Sequence, residues 1–198
     1  MTPLPPTDKG AATRRRIMDA ATAEFSEHGL AGARVDRIAA VASSNKAQLY
    51  AYFTSKELLF DAVFEASLDR IVDVVPIDPS DLPDWAVRLY DEYLARPDLI
   101  RLATWARLER HPIGHLVPGD EARRREEGKL EAIRAAQARG LIAVQADPFD
   151  VMAMVIAMSM AWSPVSTVYS ASADEERREH DRRRAFLRVA VGRAFPAA

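Results

Sequence analysis

Val35-Asp36-Arg37-Ile38-Ala39-Ala40-Val41-Ala42-Ser43-Ser44-Asn45-Lys46-Ala47-Gln48-Leu49-Tyr50-Ala51-Tyr52-Phe53 is the stretch that decides the fold. Val35, Ile38, Ala39 and Ala42 recur at three- and four-residue intervals and so line one face of a short helix over 35–42. Ser43-Ser44-Asn45 interrupts it. Asn45 is placed to cap a second helix over 46–53, because its side-chain oxygen can accept from an unpaired backbone N–H of the first turn. Two short helices joined by so tight a turn form a helix-turn-helix, in which the first helix crosses the DNA backbone and the second presents its N-terminal residues to base edges in the major groove. Ile38, Ala39 and Leu49 lock the pair together, with Phe25 and Phe53 closing the core beneath. Lys46, Ala47, Gln48, Tyr50 and Tyr52 are left outside. Lys46 suits a phosphate or a guanine edge, Ala47 a thymine methyl, and Gln48 carries the donor and acceptor that adenine requires.

Outward from this stretch the helical pattern continues. Ile17, Ala21 and Phe25 recur every four residues in a helix starting at residue 11, which Gly29 stops by taking a left-handed cap conformation. Thr54 or Ser55 caps a fourth helix over 56–75. Pro76, Pro79 and Pro83 then mark a boundary between modules. Beyond it, helices are expected over 84–96, 98–110, 121–139, 147–170 and 174–195, with a Pro/Gly loop at 111–119. No period-two alternation supports a sheet. The expected fold is all-α with about nine helices: a helix-turn-helix DNA-binding domain over 11–71, its recognition motif at about 34–53, and a larger C-terminal helical domain over 80–198.

The runs Ile38-Ala39-Ala40-Val41-Ala42 and Leu49-Tyr50-Ala51-Tyr52-Phe53-Thr54-Ser55-Lys56-Glu57-Leu58-Leu59, with Ala20-Ala21 and Phe25-Ser26-Glu27-His28-Gly29 upstream, resemble the DNA-binding domain of TetR/AcrR-type transcriptional repressors across roughly residues 11–65. The resemblance implies that Tyr50, Tyr52 and Lys56 contact phosphates, and that the C-terminal domain binds an effector and forms a homodimer. Two features depart from the family pattern. Ala42-Ser43-Ser44-Asn45 replaces the usual Ala-Gly-Val-Ser, and Arg34 stands where a capping Thr is common, from where its side chain can still reach a phosphate. The candidate DNA-binding residues are therefore Arg34, Asn45, Lys46, Ala47, Gln48, Tyr50, Tyr52 and Lys56. Arg14–Arg16 read either as further DNA contacts or as solvated charges.

The run 151–162 is apolar all round, so a helix there is expected to be buried on every side, against its own body and a partner subunit at once. Ala153, Ala157 and Ala161 permit close helix approach, and Phe186, Val189, Ala190 and Phe195 extend the apolar surface in the last helix. Trp85, Tyr93, Trp105, Met158 and Trp162 are the candidate ligand-binding residues, since aromatic and Met side chains make adaptable walls for a small apolar or amphipathic effector; ordinary core packing is the competing reading. The arginine groups 123–125 and 182–184 read as solvated helix faces.

Composition narrows the remaining choices. The 198 residues carry 27 Lys+Arg against 29 Asp+Glu and no Cys, which excludes a disulfide framework, a zinc ribbon and a thiol nucleophile. The first sixty residues hold eight basic and six acidic side chains, and the rest hold 19 and 23, so a mildly basic head sits on an acidic body. There is no signal-peptide pattern and no apolar run of membrane-spanning length, and a cytoplasmic location is expected. His111 and His115 lie in the loop without a recognised ligand spacing, so neither metal nor cofactor is expected. No GxSxG, P-loop, GxGxxG or HExxH pattern occurs, and an enzyme is not expected. The expected partners are double-stranded operator DNA and a second copy of the chain. An alternative of a different class is a helical small-molecule-binding protein with a vestigial DNA-binding head, motivated by the altered turn.

Overall fold

The computed structural model describes residues 8–72, 75–110, 114 and 120–197. Among them there are nine α-helices and no strand: α1 (Asp8–Gly32), α2 (Val35–Val41), α3 (Lys46–Phe53), α4 (Lys56–Val72), α5 (Leu82–Ala95), α6 (Pro97–Arg110), α7 (Asp120–Ala138), α8 (Pro148–Ser159) and α9 (Arg177–Ala194). They fall into two compact units. The first comprises the described residues of Met1–Val72 and Arg101–Pro112, and the second those of Asp73–Ile100 and Ile113–Ala198. The loop expected at 111–119 and its two histidines lie outside the described residues, apart from Gly114.

In the first unit α1 packs on α2 and α4, and α3 is held between α2 and α4. Ile17, Phe25, Ile38, Leu49, Leu59 and Phe60 have no exposed surface, and the rings of Phe25 and Phe60 meet edge to face at 5.1 Å. Truncating a buried Phe of this kind costs about 3–5 kcal/mol. Gly29 has φ 66° and ψ −177° and kinks α1 rather than ending it, the chain remaining helical to Gly32.

In the second unit α5 lies against α9 and α8, with α7 packed on α8. Trp85, Tyr90, Ile133, Val151, Val155 and Val191 belong to its core. Helix boundaries here follow local chemistry. Asp81 caps α5, accepting from the backbone N–H of Asp84, so α5 begins ahead of Pro83, which fits the first turn because its missing N–H has no partner to lose. Pro97 opens α6 for the same reason.

Two expectations are corrected in this unit. The helix expected to run to residue 170 ends at Ser159, with Met160 as its C-cap. Pro164 enforces this: it lacks an N–H, its ring collides with the carbonyl four residues back, and it drives Ser163 out of the helical region. Turns follow, tied by the N–H of Ala171 donating to the carbonyl of Trp162 at 3.0 Å. The second correction concerns burial of α8. Val151 and Val155 are fully covered, but Met154 is 48% exposed and Ala157 is exposed as well, so a single chain covers only part of this apolar helix.

Candidate nucleic-acid interface

The turn between α2 and α3 forms without the usual glycine. The N–H of Ser43 donates to the carbonyl of Ala40 at 3.1 Å and that of Ser44 to Ala39 at 2.9 Å. This is the paired bonding of a Schellman helix end, which requires a left-handed residue at its centre. Ser43 occupies that position at φ 49°, at a cost of about 1–2 kcal/mol for a residue carrying a Cβ. The altered turn therefore keeps the geometry that a helix-turn-helix needs.

α3 starts as expected from its cap: the Asn45 side chain accepts from the backbone N–H of Gln48 at 2.9 Å. Leu49 and Phe53 face the core. Lys46, Ala47, Gln48 and Tyr50 are exposed, Tyr50 by 41%. Lys46 Nζ lies 2.9 Å from Asp36 Oδ1, in a pair with both side chains more than half exposed, a geometry that contributes little. The Ser44 hydroxyl donates to Gln48 Oε1 at 2.8 Å.

Arg34 is the N-cap residue of α2 but makes no capping bond with its side chain. Glu24 of α1 does that work. Its Oε1 accepts from the backbone N–H of Arg34 at 2.7 Å and from Arg37 Nη2 at 2.6 Å. Burial pushes the Glu24 carboxyl up, but the Arg37 hydrogen bond, the Arg34 N–H and the Arg37 charge together hold it below its ordinary value. A carboxylate supplied from another helix replaces a capping Thr, and the Arg34 side chain stays exposed.

Two of the residues assigned to phosphates are engaged inside the unit. The Tyr52 hydroxyl donates to the carbonyl of Gly10 at 3.2 Å. Lys56 Nζ lies 3.3 Å from the carbonyl of Ala33 and 3.5 Å from that of Ala31, closing the end of α1. Arg16 is engaged too, its Nε donating to the carbonyl of Ala42 at 3.1 Å, while Arg14 lies over the Phe53 ring at 5.2 Å. None of these long-range partners is signalled by local spacing.

The ligand-binding candidates divide between the units. Trp105 belongs to the first, where its ring borders Gly29. Trp85, Tyr93, Met158 and Trp162 belong to the second and all join or border one apolar core. Trp85 Nε1 donates to the carbonyl of Val75 at 3.2 Å. Burial raises the Tyr93 phenol, against the hydrogen bond to Ser159. The Trp162 ring meets Tyr90 edge to face at 6.1 Å.

A buried polar cluster beside Trp162 escaped the sequence reading. The Tyr90 hydroxyl lies 2.8 Å from His180 Nδ1, and Arg183 Nη2 lies 2.6 Å from Glu175 Oε2. Arg183 is 3% exposed, which corrects the reading of residues 182–184 as a solvated face. Burial opposes its charge, but bonds to Tyr90 and Glu175 hold the guanidinium above its ordinary value. The signal was present: His180, Arg183, Leu187 and Val191 share one helical stripe, and all four are buried. Among the described residues, no group of three metal-ligating side chains comes together, and no helix is long and apolar enough to cross a membrane.

With this geometry in place, comparison with known proteins identifies the class. Residues 17–63 match the family model "Bacterial regulatory proteins, tetR family", and residues 81–193 match "Tetracyclin repressor-like, C-terminal domain". The chain is 41% identical over 150 residues, 75% of its length and 77% of the relative's, to the HTH-type transcriptional repressor SCO4008 of Streptomyces coelicolor. It is 35% identical over 98 residues, 46% of each chain, to the HTH-type transcriptional repressor NicS of Pseudomonas putida. Its fold is similar to the crystal structure of the putative transcriptional regulator SCO4942 from Streptomyces coelicolor, with a TM-score of 0.75, 38% identity and coverage of 94% of this chain and 99% of that one. The chain belongs to the TetR family of DNA-binding transcriptional regulators.

Proposed function

We propose that this TetR-family regulator represses as a homodimer and leaves its operator when a small apolar or amphipathic effector binds the C-terminal unit. The single observation that carries the DNA reading is the exposed first turn of α3, with Lys46, Ala47 and Gln48 facing outward from a capped helix. Tyr50 and Arg34 flank it as phosphate donors. Lys56 spends its N–H groups on two carbonyls and keeps one for a phosphate. Tyr52 contacts a phosphate only by releasing Gly10, because its single O–H is already donated. Asn45 serves as cap first, its Oδ1 being occupied.

Dimerisation is supported by the apolar surface left on the last two helices: Met154, Phe186 and Val189 are 48%, 61% and 49% exposed. Phe186 and Val189 stand three residues apart on α9, and exposed large apolar side chains paired on one helical face in this way mark an interaction site. A dimer also supplies two recognition helices for half-sites about 34–36 Å apart. Trp85, Tyr93, Met158 and Trp162 would wall the effector site within the second unit. Effector and DNA then weaken each other reciprocally, by favouring different states. The site of action is the cytoplasm.

Fluorescence anisotropy on operator-containing fragments, with and without candidate effectors, tests this reading. Steep loss of affinity with added salt is expected, since each neutralised phosphate releases counterions. Salt-insensitive binding would remove it. Sedimentation tests the dimer: a monomer at operator-saturating concentration would overturn that part.

A further inference from the structure

We infer that the Tyr90–His180–Arg183 cluster is the polar end of the effector site, and that it takes a neutral ligand with an apolar body and a carbonyl oxygen, such as a ketone, ester or amide. The inference rests on the proposed effector site in the second unit and names the ligand class which that site selects.

His180 and Arg183 stand one helical turn apart on the buried stripe of α9, which packs on α5 and its Tyr90. They are 6% and 3% exposed. Yet His180 Nε2 and Arg183 Nε are buried with no hydrogen-bond partner among the described residues. Folded proteins leave few polar atoms in that state, because the hydration lost on burial is not replaced. The neighbouring bonds show what kind of groups these are. The Tyr90 hydroxyl lies 2.8 Å from His180 Nδ1 and 3.5 Å from Arg183 Nη1. Arg183 has only N–H groups to offer, so it donates to the Tyr90 oxygen. The Tyr90 O–H then has His180 Nδ1 as its acceptor. A proton on Nδ1 would leave that O–H without one, whether the ring were neutral or charged. His180 therefore carries its proton on Nε2. Both unpartnered atoms are donors, and an acceptor is what completes them.

Charge decides between a carboxylate and a carbonyl. Arg183 Nη2 lies 2.6 Å from Glu175 Oε2, so the guanidinium is already balanced. A ligand carboxylate would bring a second negative charge to the same guanidinium, with no counter-charge of its own, which is unfavourable in a buried place. A carbonyl oxygen accepts from His180 Nε2, with Arg183 Nε as the second donor, and adds no charge. Trp162 supplies the apolar side. It is half-buried, meets Tyr90 edge to face at 6.1 Å and Phe186 at 6.3 Å, and borders the same core as Met158. Donors and aromatic rings thus stand side by side, as an amphipathic ligand requires.

The test uses the full-length protein, with acetophenone as the neutral carbonyl probe and benzoate, of the same shape but charged, as its counterpart. Nitrogen–proton correlation spectra of the four histidine rings read the site directly, with the His180 signals assigned from a His180→Phe variant. At about pH 8, above the ordinary histidine range, His180 is expected to carry its proton on Nε2 alone. A proton on Nδ1 would overturn the inference. Acetophenone is expected to shift the Nε2 signal and to bind about tenfold or more tightly than benzoate, since the extra charge is costly to bury. Arg183→Lys keeps the charge and removes the Nε–H. It is expected to weaken acetophenone by about fivefold, the worth of one net hydrogen bond, and the unchanged His180 tautomer shows the cluster intact. Benzoate binding as tightly as acetophenone, an unaltered affinity in Arg183→Lys, or no Nε2 shift with either probe would each overturn the inference. So would a crystal structure grown with acetophenone in which water alone accepts from Nε2. Operator anisotropy in the same samples judges the effector reading separately. Acetophenone bound at His180 with the operator complex unchanged would remove the link to release and leave the carbonyl site in place, so the two failures are told apart.

Discussion

Replacing Gly29 by Ala should damage the first unit far more than loss of a glycine usually does. Two separate effects add. The backbone at Gly29, φ 66° and ψ −177°, lies in a region that is essentially closed to residues with a Cβ, and forcing one there costs about 1–3 kcal/mol. An ideal Cβ would also stand 2.7 Å from Trp105 Cε3, 2.8 Å from Trp105 Cδ2 and 2.8 Å from Glu109 Oε1. Glu109 is also engaged, accepting from the backbone N–H of Ala31 at 3.1 Å. Overpacking of this kind costs about 1–3 kcal/mol. The expected loss is about 2–6 kcal/mol, or roughly 5–20 °C in Tm for a chain of this size. Urea and thermal unfolding followed by circular dichroism measure it. Gly32→Ala is the control: its nearest neighbour is His28 Cβ at 3.4 Å, and it should lie within about 1 kcal/mol of the parent. In a double-mutant cycle, Trp105→Ala should recover the packing part of the Gly29→Ala loss, about 1–3 kcal/mol, and leave the backbone part. A Gly29→Ala protein within about 0.5 kcal/mol of the parent, or a cycle showing no coupling, would refute the reasoning.

Other outcomes follow from the same contacts. Ser43→Gly should stabilise the chain by up to about 1 kcal/mol, the relief of its left-handed backbone less the extra chain entropy of glycine, read as a higher urea midpoint at unchanged slope. Arg183→Ala should cost about 1–3 kcal/mol, because it opens a hole beside Tyr90 and removes one bond to Glu175, whose carboxylate keeps the Ser172 N–H and the Tyr169 hydroxyl; denaturation of the variant checks it. Glu24 titrates below its ordinary value near 4.5. The unfolded chain therefore binds the proton first as pH falls, and stability is lost from about that value downward. Glu24→Gln should flatten this part of the curve when urea midpoints are compared between about pH 3 and pH 6. Lys46→Ala should weaken DNA binding evenly across sequences and lower the slope of log affinity against log salt by about one, measured by anisotropy.

The structure also divides what could be read along the chain from what could not. The Asn45 cap, the α3 limits and the closing glycine after α7 were all readable, because capping and left-handed turns involve residues within four positions of each other; Gly29 was expected to end α1 and instead kinks it. The early end of α8 was readable in principle at Ser163-Pro164, but the apolar run through Trp162 outweighed it. Arg183 was missed for a related reason. Its neighbours Arg182 and Arg184 suggested a solvated face, whereas its own place on the His180–Leu187–Val191 stripe put it inside.

By itself the sequence determined the helical composition, the turn, the outward side of α3 and the family, since each follows from short-range periodicity and from residue types at fixed spacing. Only the tertiary structure decided which polar groups are already in use. Tyr52 meets Gly10 across 42 positions, Lys56 meets Ala33 across 23, and Glu24 meets Arg34 from a different helix. Trp105 was likewise assigned to the first unit by the fold. A hydrogen bond is a condition on distance and direction in space, and residues far apart in the chain satisfy it only once the packing of Phe25, Leu49 and Phe60 has brought their helices together.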